Sequence, residues 1–262
     1  MNKYNHLLLE NKICVITGAA SIRSIGYATA ELFAANGAKL VLLDLAMNEQ
    51  IENEVVSYIA SQIGQVPEYL AIQCDLRSAS ACDEAIEKAV AKFGTIDCLV
   101  NCAGIVKSEG MLSITEDAYD LIMDVNLKGT FNICKSVLKI FAEKQSGVIV
   151  NLSSLAAQRG GGLVGGAHYA ASKGGVISLT RSIAREFAPQ GIRANTICPA
   201  MIETPMLDGL SVEQLTAVIS GIPLKRVGKT IELAGTCLFL ASDLSGFITG
   251  ATIDVNGGIH IH

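Results

Sequence analysis

Tyr169-Ala170-Ala171-Ser172-Lys173 sets a phenol and an amine four positions apart, one helical turn, and therefore on one face of a helix. A free tyrosine, with a pKa near 10, is a poor base at neutral pH. A neighbouring ammonium favours the phenolate and brings the group toward acid–base work. Upstream, the apolar run Val148-Ile149-Val150-Asn151-Leu152 ends in Ser153 and Ser154. These two hydroxyls fall where a buried strand meets the carboxyl edge of an open α/β sheet, the edge at which such sheets bind ligands. Alone, Tyr-x-x-x-Lys also describes a solvated pair on a surface helix.

A second constellation stands near the start. The apolar run Ile13–Thr17 leads into Gly18-Ala19-Ala20-Ser21-Ile22-Arg23-Ser24-Ile25-Gly26 and then a helical pattern. A glycine turn between a first strand and a first helix lets the backbone approach a pyrophosphate, which the helix N-terminus stabilises. Asp44 closes the next apolar run, where a carboxylate would accept hydrogen bonds from adenosine ribose hydroxyls. A tight turn explains the glycines alone. Strand, turn, helix and acid in register imply a dinucleotide site.

The elements that must carry these groups alternate. Strands are expected at Ile13–Thr17, Lys39–Leu43, Tyr69–Gln73, Asp97–Asn101, Gly147–Leu152, Arg193–Cys198 and Thr252–Val255. The first six are nearly continuous apolar stretches, as in parallel strands covered on both faces. Helices are expected at Asn48–Ile63 and Ser78–Phe93, and long apolar helices at Tyr119–Lys144 and His168–Pro189. The pattern predicts an α/β fold: one doubly wound parallel sheet of about seven strands with helices on both faces, a Rossmann-type single domain over residues 1–262.

Half of the 262 residues are apolar and 17% are charged, which excludes a chiefly disordered chain. A net charge of −5 argues against nucleic acid or an anionic membrane as partner. No apolar run reaches membrane-spanning length, and Met1–Glu10 lacks the character of a secretory signal, so a cytoplasmic location is expected. The eight cysteines include no Cys-x-x-Cys pair and predict reduced thiols with no metal site. Asn151-Leu152-Ser153 has the form of a glycosylation acceptor, but it lies in an apolar strand.

Taken together, the motifs resemble the short-chain dehydrogenase/reductase family from Lys12 to Gly258. Asn101-Cys102-Ala103-Gly104 resembles its Asn-Asn-Ala-Gly, with Cys as the second residue. Cys74-Asp75-Leu76, Asp124-Val125-Asn126, Cys198-Pro199-Ala200 and Asp254-Val255-Asn256-Gly257-Gly258 resemble further family motifs. The resemblance implies a Ser–Tyr–Lys–Asn site and a nicotinamide cofactor. Tyr169 would be the general acid/base, and Lys173 would tune it and bind the nicotinamide ribose. Ser154 would polarise the substrate oxygen, and Asn126 would hold a relay water. The cofactor would rest on Gly18, Ser24, Ile25, Gly26, Asp44, Asp75, Leu76, Asn101, Ala103 and Gly104. It would continue along Tyr169, Lys173, Pro199, Ile202 and Thr204.

Some features depart from the family pattern. The glycine loop is two residues longer than usual, and Ser24 stands where the middle glycine is expected. Its Gly18-x5-Ser24-x-Gly26 spacing is similar to that of bacterial enoyl-acyl-carrier reductases, but those space Tyr and Lys seven apart, so the carbonyl-reducing type is favoured. Ser154 lies 15 residues before Tyr169 rather than 13, with Gln158–Gly166 able to absorb the excess and Ser153 as the alternative hydroxyl.

Smaller signals surround the site. Arg159 is either a solvated loop charge or a contact for an anionic substrate group. His168 is expected at a helix start in contact with solvent, with a place facing the substrate as the alternative, and His260-Ile261-His262 as a fraying tail in preference to a metal chelate. A substrate lid is expected around 201–220.

The implied reaction moves a hydride between NAD, preferred over NADP, and a secondary alcohol or ketone such as a polyol, sugar acid or hydroxysteroid. The alternatives are a 3-oxoacyl-thioester reductase and a non-catalytic dinucleotide sensor or scaffold. A homotetramer is expected, with a dimer next.

Overall fold

The computed structural model describes residues 7–162 and 164–261. The first six residues, Leu163 of the glycine-rich loop and His262 of the terminal His-x-His therefore lie outside the described residues. The strands are β1 (Ile13–Thr17), β2 (Lys39–Asp44), β3 (Tyr69–Gln73), β4 (Cys98–Asn101), β5 (Gly147–Leu152), β6 (Ile192–Pro199) and β7 (Thr252–Val255). They pair in parallel in the order β3-β2-β1-β4-β5-β6-β7, so the order reverses between β1 and β4. A crevice opens at such a switch point, outside the carboxyl ends of the strands.

The helices are α1 (Ile25–Ala35), α2 (Glu49–Ile63), α3 (Ala79–Phe93), α4 (Glu116–Met123), α5 (Gly129–Lys144), α6 (Ala156–Arg159), α7 (Ala167–Phe187), α8 (Val212–Gly221) and α9 (Thr230–Ala241). Strand side chains alternate between the two faces of the sheet. Cys14 and Ile16 pack with Phe33 of α1, Ile59 of α2 and Leu233 of α9. Ile13 and Val15 pack with Ile86 of α3, Ile133 and Phe141 of α5 and Ile183 of α7. The fully buried side chains each contribute roughly 1.5–3 kcal/mol.

Local chemistry sets the ends of the helices. Asn48 and Ser78, which open the two expected helical segments, are their N-caps, accepting from the amides of Ile51 and Ala81. Gly64 and Gly94 end the same helices in the left-handed conformation.

Two expectations need correction. β3 is an edge strand and only half-buried, because no strand covers its outer side. The single helix expected over Tyr119–Lys144 is broken by a π turn at Asp124–Lys128. There the Asn126 side chain turns away to hold the Ile105 backbone, and a π turn of this kind often marks a functional position.

Candidate active site

The β1–α1 turn is shaped by close approach. A Cβ on Gly26 would stand 2.3 Å from the Gly18 carbonyl oxygen, and Gly18 itself has φ +72°. No other residue fits at Gly26 without moving backbone. Ser24 replaces a glycine and adds a cap: its hydroxyl accepts from the Tyr27 amide at 3.0 Å and donates to the Gly18 carbonyl at 3.0 Å. Asp44, at the end of β2, accepts from the amides of Ala20 at 3.1 Å and Ala46 at 2.9 Å, which brings its carboxylate against the turn. The Arg23 guanidinium grips Asp208 through two bonds of 2.8 and 2.6 Å.

The carboxyl ends of β1, β4 and β5 are joined by a buried chain of polar groups. The Thr17 hydroxyl donates to Asn101 at 3.3 Å, and Asn101 donates to Asn151 at 2.7 Å. Asn151 in turn donates to Thr180 of α7 at 2.9 Å. Satisfied networks of this kind rigidify a core. Thr17 also receives the Ala103 amide at 3.1 Å, which fixes the start of the β4 loop. The side chain of Asn101 is thus committed inside the sheet. Asn151, the misplaced glycosylation pattern, is the centre of this network.

Beyond these strand ends lies a cavity of about 390 Å³, lined by Ile25, Cys102, Gly104, Ser154, Tyr169, Lys173, Pro199, Ile202 and Thr204 among others. Of the expected residues, eight line this cavity, while Gly18, Ser24, Gly26, Asp44, Asp75, Leu76, Asn101, Ala103 and Asn126 do not. Ser154 faces the Tyr169 phenol and hydrogen-bonds with it, despite the longer spacing, whereas Ser153 turns inward and donates to the Lys173 carbonyl at 2.8 Å. The two extra residues fold into a glycine loop in which Gly162 donates to Gly165 at 3.0 Å. Gly165 lies so close to the Tyr169 ring that a Cβ would come within 2.3 Å of it.

Lys173 is buried; its Nζ donates to the Leu152 carbonyl at 3.0 Å and stands 6.0 Å from the Tyr169 ring centre. Burial pulls the ammonium down to about 8. Burial also raises the Tyr169 phenol above its ordinary value, while the Ser154 hydrogen bond lowers it. The expected dominance of the lysine over the phenol gives way here to desolvation, because both groups lie in a poorly solvated pocket.

Asn126 is wholly buried. Its amide exchanges two 2.9 Å bonds with the Ile105 backbone and donates to Ser172 at 3.2 Å, so it anchors the loop after β4 to α7. Asp75 sits on the loop after β3, its carboxylate clasped by Arg77, which holds its pKa low. Leu76 packs against Gly129 and accepts from Asn132 at 2.8 Å. Cys102, in the position of a second Asn, lines the cavity, and desolvation pushes its thiol up to about 12.

His168 is 2% exposed rather than solvent-facing. The loop before α4 covers it, with Gly166 donating to the Lys107 carbonyl and Glu109 standing 3.6 Å from the imidazole. Sequence reasoning did not find this contact or the Arg23–Asp208 pair, since neither follows from local spacing. Met206, Leu207 and Val218, within the expected lid, do line the cavity.

A nicotinamide dinucleotide fits these residues. The glycines pack the turn backbone tightly against the start of α1, whose first residue, Ile25, lines the cavity that holds Ser154, Tyr169 and Lys173.

Residues 18–260 match the family model described as enoyl-(acyl carrier protein) reductase. An uncharacterized short-chain type dehydrogenase/reductase of Sinorhizobium fredii is 40% identical over 98% of this chain and 100% of its own. The 3-oxoacyl-[acyl-carrier-protein] reductase of Thermotoga maritima is also 40% identical, over 97% and 99%. Among solved structures, the 3-oxoacyl-[acyl-carrier protein] reductase of Brucella melitensis superposes with a TM-score of 0.89 at 32% identity, over 98% of this chain and 94% of that one. On its sheet order, its glycine turn and these likenesses along nearly its whole length, the chain belongs to the short-chain dehydrogenase/reductase family of oxidoreductases.

Proposed function

We propose that the chain catalyses hydride transfer between NAD(H) and a secondary alcohol or ketone. The observation that carries this reading is the meeting of Ser154, Tyr169 and Lys173 in one cavity continuous with the β1–α1 turn. Gly18, Ser24, Ile25 and Gly26 would receive the pyrophosphate, Asp44 the adenosine ribose, and Lys173 the nicotinamide ribose. Asp75 and Leu76 would flank the adenine, and Ala103, Gly104, Pro199, Ile202 and Thr204 would border the nicotinamide. The dinucleotide supplies the hydride acceptor or donor.

The protein's part is the proton. The Ser154 hydroxyl would hold the substrate oxygen beside the Tyr169 phenol, which gives a proton to a forming alkoxide or removes one from an alcohol. Lys173, near the phenol and close to neutral titration, stabilises the phenolate once the proton has left. Asn126 holds the loop after β4 that closes this side of the site.

NAD is favoured over NADP because a 2′-phosphate would meet the Asp44 carboxylate, while Arg23, the nearest loop cation in sequence, is engaged by Asp208. A 3-oxoacyl-thioester reductase is the second reading, supported by the relatives of that name.

We also infer a cytoplasmic homotetramer. Met123, Leu127, Phe131 and Leu179, together with the Asp124–Lys128 ion pair, border one hollow on the α5–α7 side, and Phe131 is 47% exposed. Light scattering at micromolar concentration tests the assembly, and a monomer would overturn it. The catalytic reading is tested by screening polyols, sugar acids, hydroxysteroids and simple secondary alcohols for NAD reduction with wild-type protein and Tyr169→Phe. Turnover in the wild type and none in the variant, with NADH binding retained in both, is expected; turnover surviving in the variant refutes the role of Tyr169.

A further inference from the structure

The cavity contains one charge that the proton-transfer chemistry does not use. Among its described lining residues only Lys173 and Arg159 are charged, and none is acidic. Lys173 is buried and bonded to Leu152. Arg159 is the last residue of α6, the short helix that begins directly after Ser154. Its Nη1 donates to the Ile259 carbonyl at 3.1 Å, so the C-terminal segment holds the guanidinium over a cavity that Ile259 also lines.

Arg23, Arg77 and Arg226 each clasp a carboxylate of the protein itself. Arg159, like Arg181, Arg185 and Arg193, forms no ion pair among the described residues, and of these four only Arg159 lines the cavity. Around it the walls are apolar: Leu155, Val164, Met206, Leu207 and Val218. A planar cation with free N–H donors at the edge of an apolar, acid-free cavity suits a substrate carboxylate. Ser154 and Arg159 border the same cavity at the two ends of the short segment that holds α6, so one short acid can offer its carbonyl to the first and its carboxylate to the second.

We propose that Arg159 docks the carboxylate of the substrate, so that the chain acts on short oxo acids and the matching hydroxy acids. The inference rests on the oxidoreductase reading and narrows its substrate class. A thioester has no anion at this position, so the same test separates it from the acyl-carrier reading.

The probes are acetoacetate, levulinate and 5-oxohexanoate, each paired with its methyl ester, titrated calorimetrically into NADH-loaded Tyr169→Phe protein, which is expected to bind without turnover; the Arg159 and Arg181 variants are compared in the same background. Turnover of the same compounds by the wild type is followed separately by NADH absorbance. At least one acid is expected to bind about tenfold tighter than its ester, a modest preference because Arg159 is solvent-accessible. Arg159→Ala should abolish that preference while leaving ester binding unchanged, and Arg159→Lys should keep part of it. Arg181→Ala, which removes a cation outside the cavity, should preserve it. Acids that bind no better than their esters, or a preference that survives Arg159→Ala, would overturn the proposal and leave the oxidoreductase reading standing. Acids held through Arg159 but never reduced would overturn the oxo-acid substrate class, and the hydride-transfer reading would then rest on the alcohol screen with Tyr169→Phe alone.

Discussion

Replacing Lys173 by methionine should make the protein without dinucleotide more stable at neutral pH, not less. The ammonium lies buried against the Leu152 carbonyl, and burial brings its pKa from the ordinary 10.5 to about 8. At about 1.4 kcal/mol per pH unit, that displacement amounts to roughly 3 kcal/mol. The sign follows from proton counting. Between pH 8 and 10.5 the unfolded chain holds a proton on Lys173 that the folded chain has lost, so this residue's contribution to stability rises with pH through that window. Below pH 8 both states are protonated and the full cost is present; above 10.5 neither is and the cost vanishes.

Methionine keeps the length and the apolar stem, but it removes the donor to Leu152, a loss of about 1 kcal/mol. Lys173→Met should therefore be more stable than wild type by about 2 kcal/mol at pH 7 and slightly less stable at pH 10.5. Urea unfolding of both proteins at fixed protomer concentration, from pH 7 to 10.5, measures the difference. Groups remote from Lys173 also titrate there and cancel between the two proteins, whereas Cys102 and Cys198, whose thiol pKa values the ammonium lowers, belong to the measured difference. A stability difference that stays flat across this range would refute the placement of a strained, buried ammonium beside Tyr169.

Gly26→Ala should abolish dinucleotide binding and destabilise the fold by about 1–3 kcal/mol or more, because its Cβ would meet the Gly18 carbonyl; NADH fluorescence and thermal unfolding measure the two effects. Ser24→Ala should cost about 1 kcal/mol by thermal unfolding, through loss of the α1 cap, and Ser24→Gly only a few tenths. Wild type should use NAD at least about tenfold better than NADP by kcat/KM. Asp44→Ala should narrow that gap, and Arg23→Ala should leave it or widen it. Equal use of both dinucleotides by the wild type would show that Arg23 governs the choice.

The strands were legible in the sequence to within a residue or two because each buried run is short, apolar and bounded by polar turns. Helix starts were legible through their caps, Asn48 and Ser78. The π turn at Asp124–Lys128 was not, since nothing in that helical pattern marks an extra residue in the turn. At the site, Tyr169 and Lys173 follow from a one-turn spacing, but their titration does not. It depends on burial by segments far away in sequence, and burial reverses the expected order of influences on the phenol. The covering of His168 by the loop around Glu109 and the gripping of Arg23 by Asp208 are likewise long-range contacts.

Both places where the chain is longer than the family pattern lie on loops at the carboxyl edge of the sheet, and there added length need not disturb strand register. Around Arg159 the extra residues form a glycine return that packs on the Tyr169 ring. In the β1–α1 turn they accompany Ser24 and Arg23, and each has a partner that a glycine could not have. The Ser24 hydroxyl caps α1 and ties back to Gly18. The Arg23 guanidinium holds Asp208, next to the Pro205–Leu207 turn whose Met206 and Leu207 wall the cavity. The lost glycine is thus replaced by a cap, and the longer turn reaches the segment over the site. Its departure from the familiar spacing is accounted for by contacts, and it gives no reason to read the dinucleotide site as degenerate.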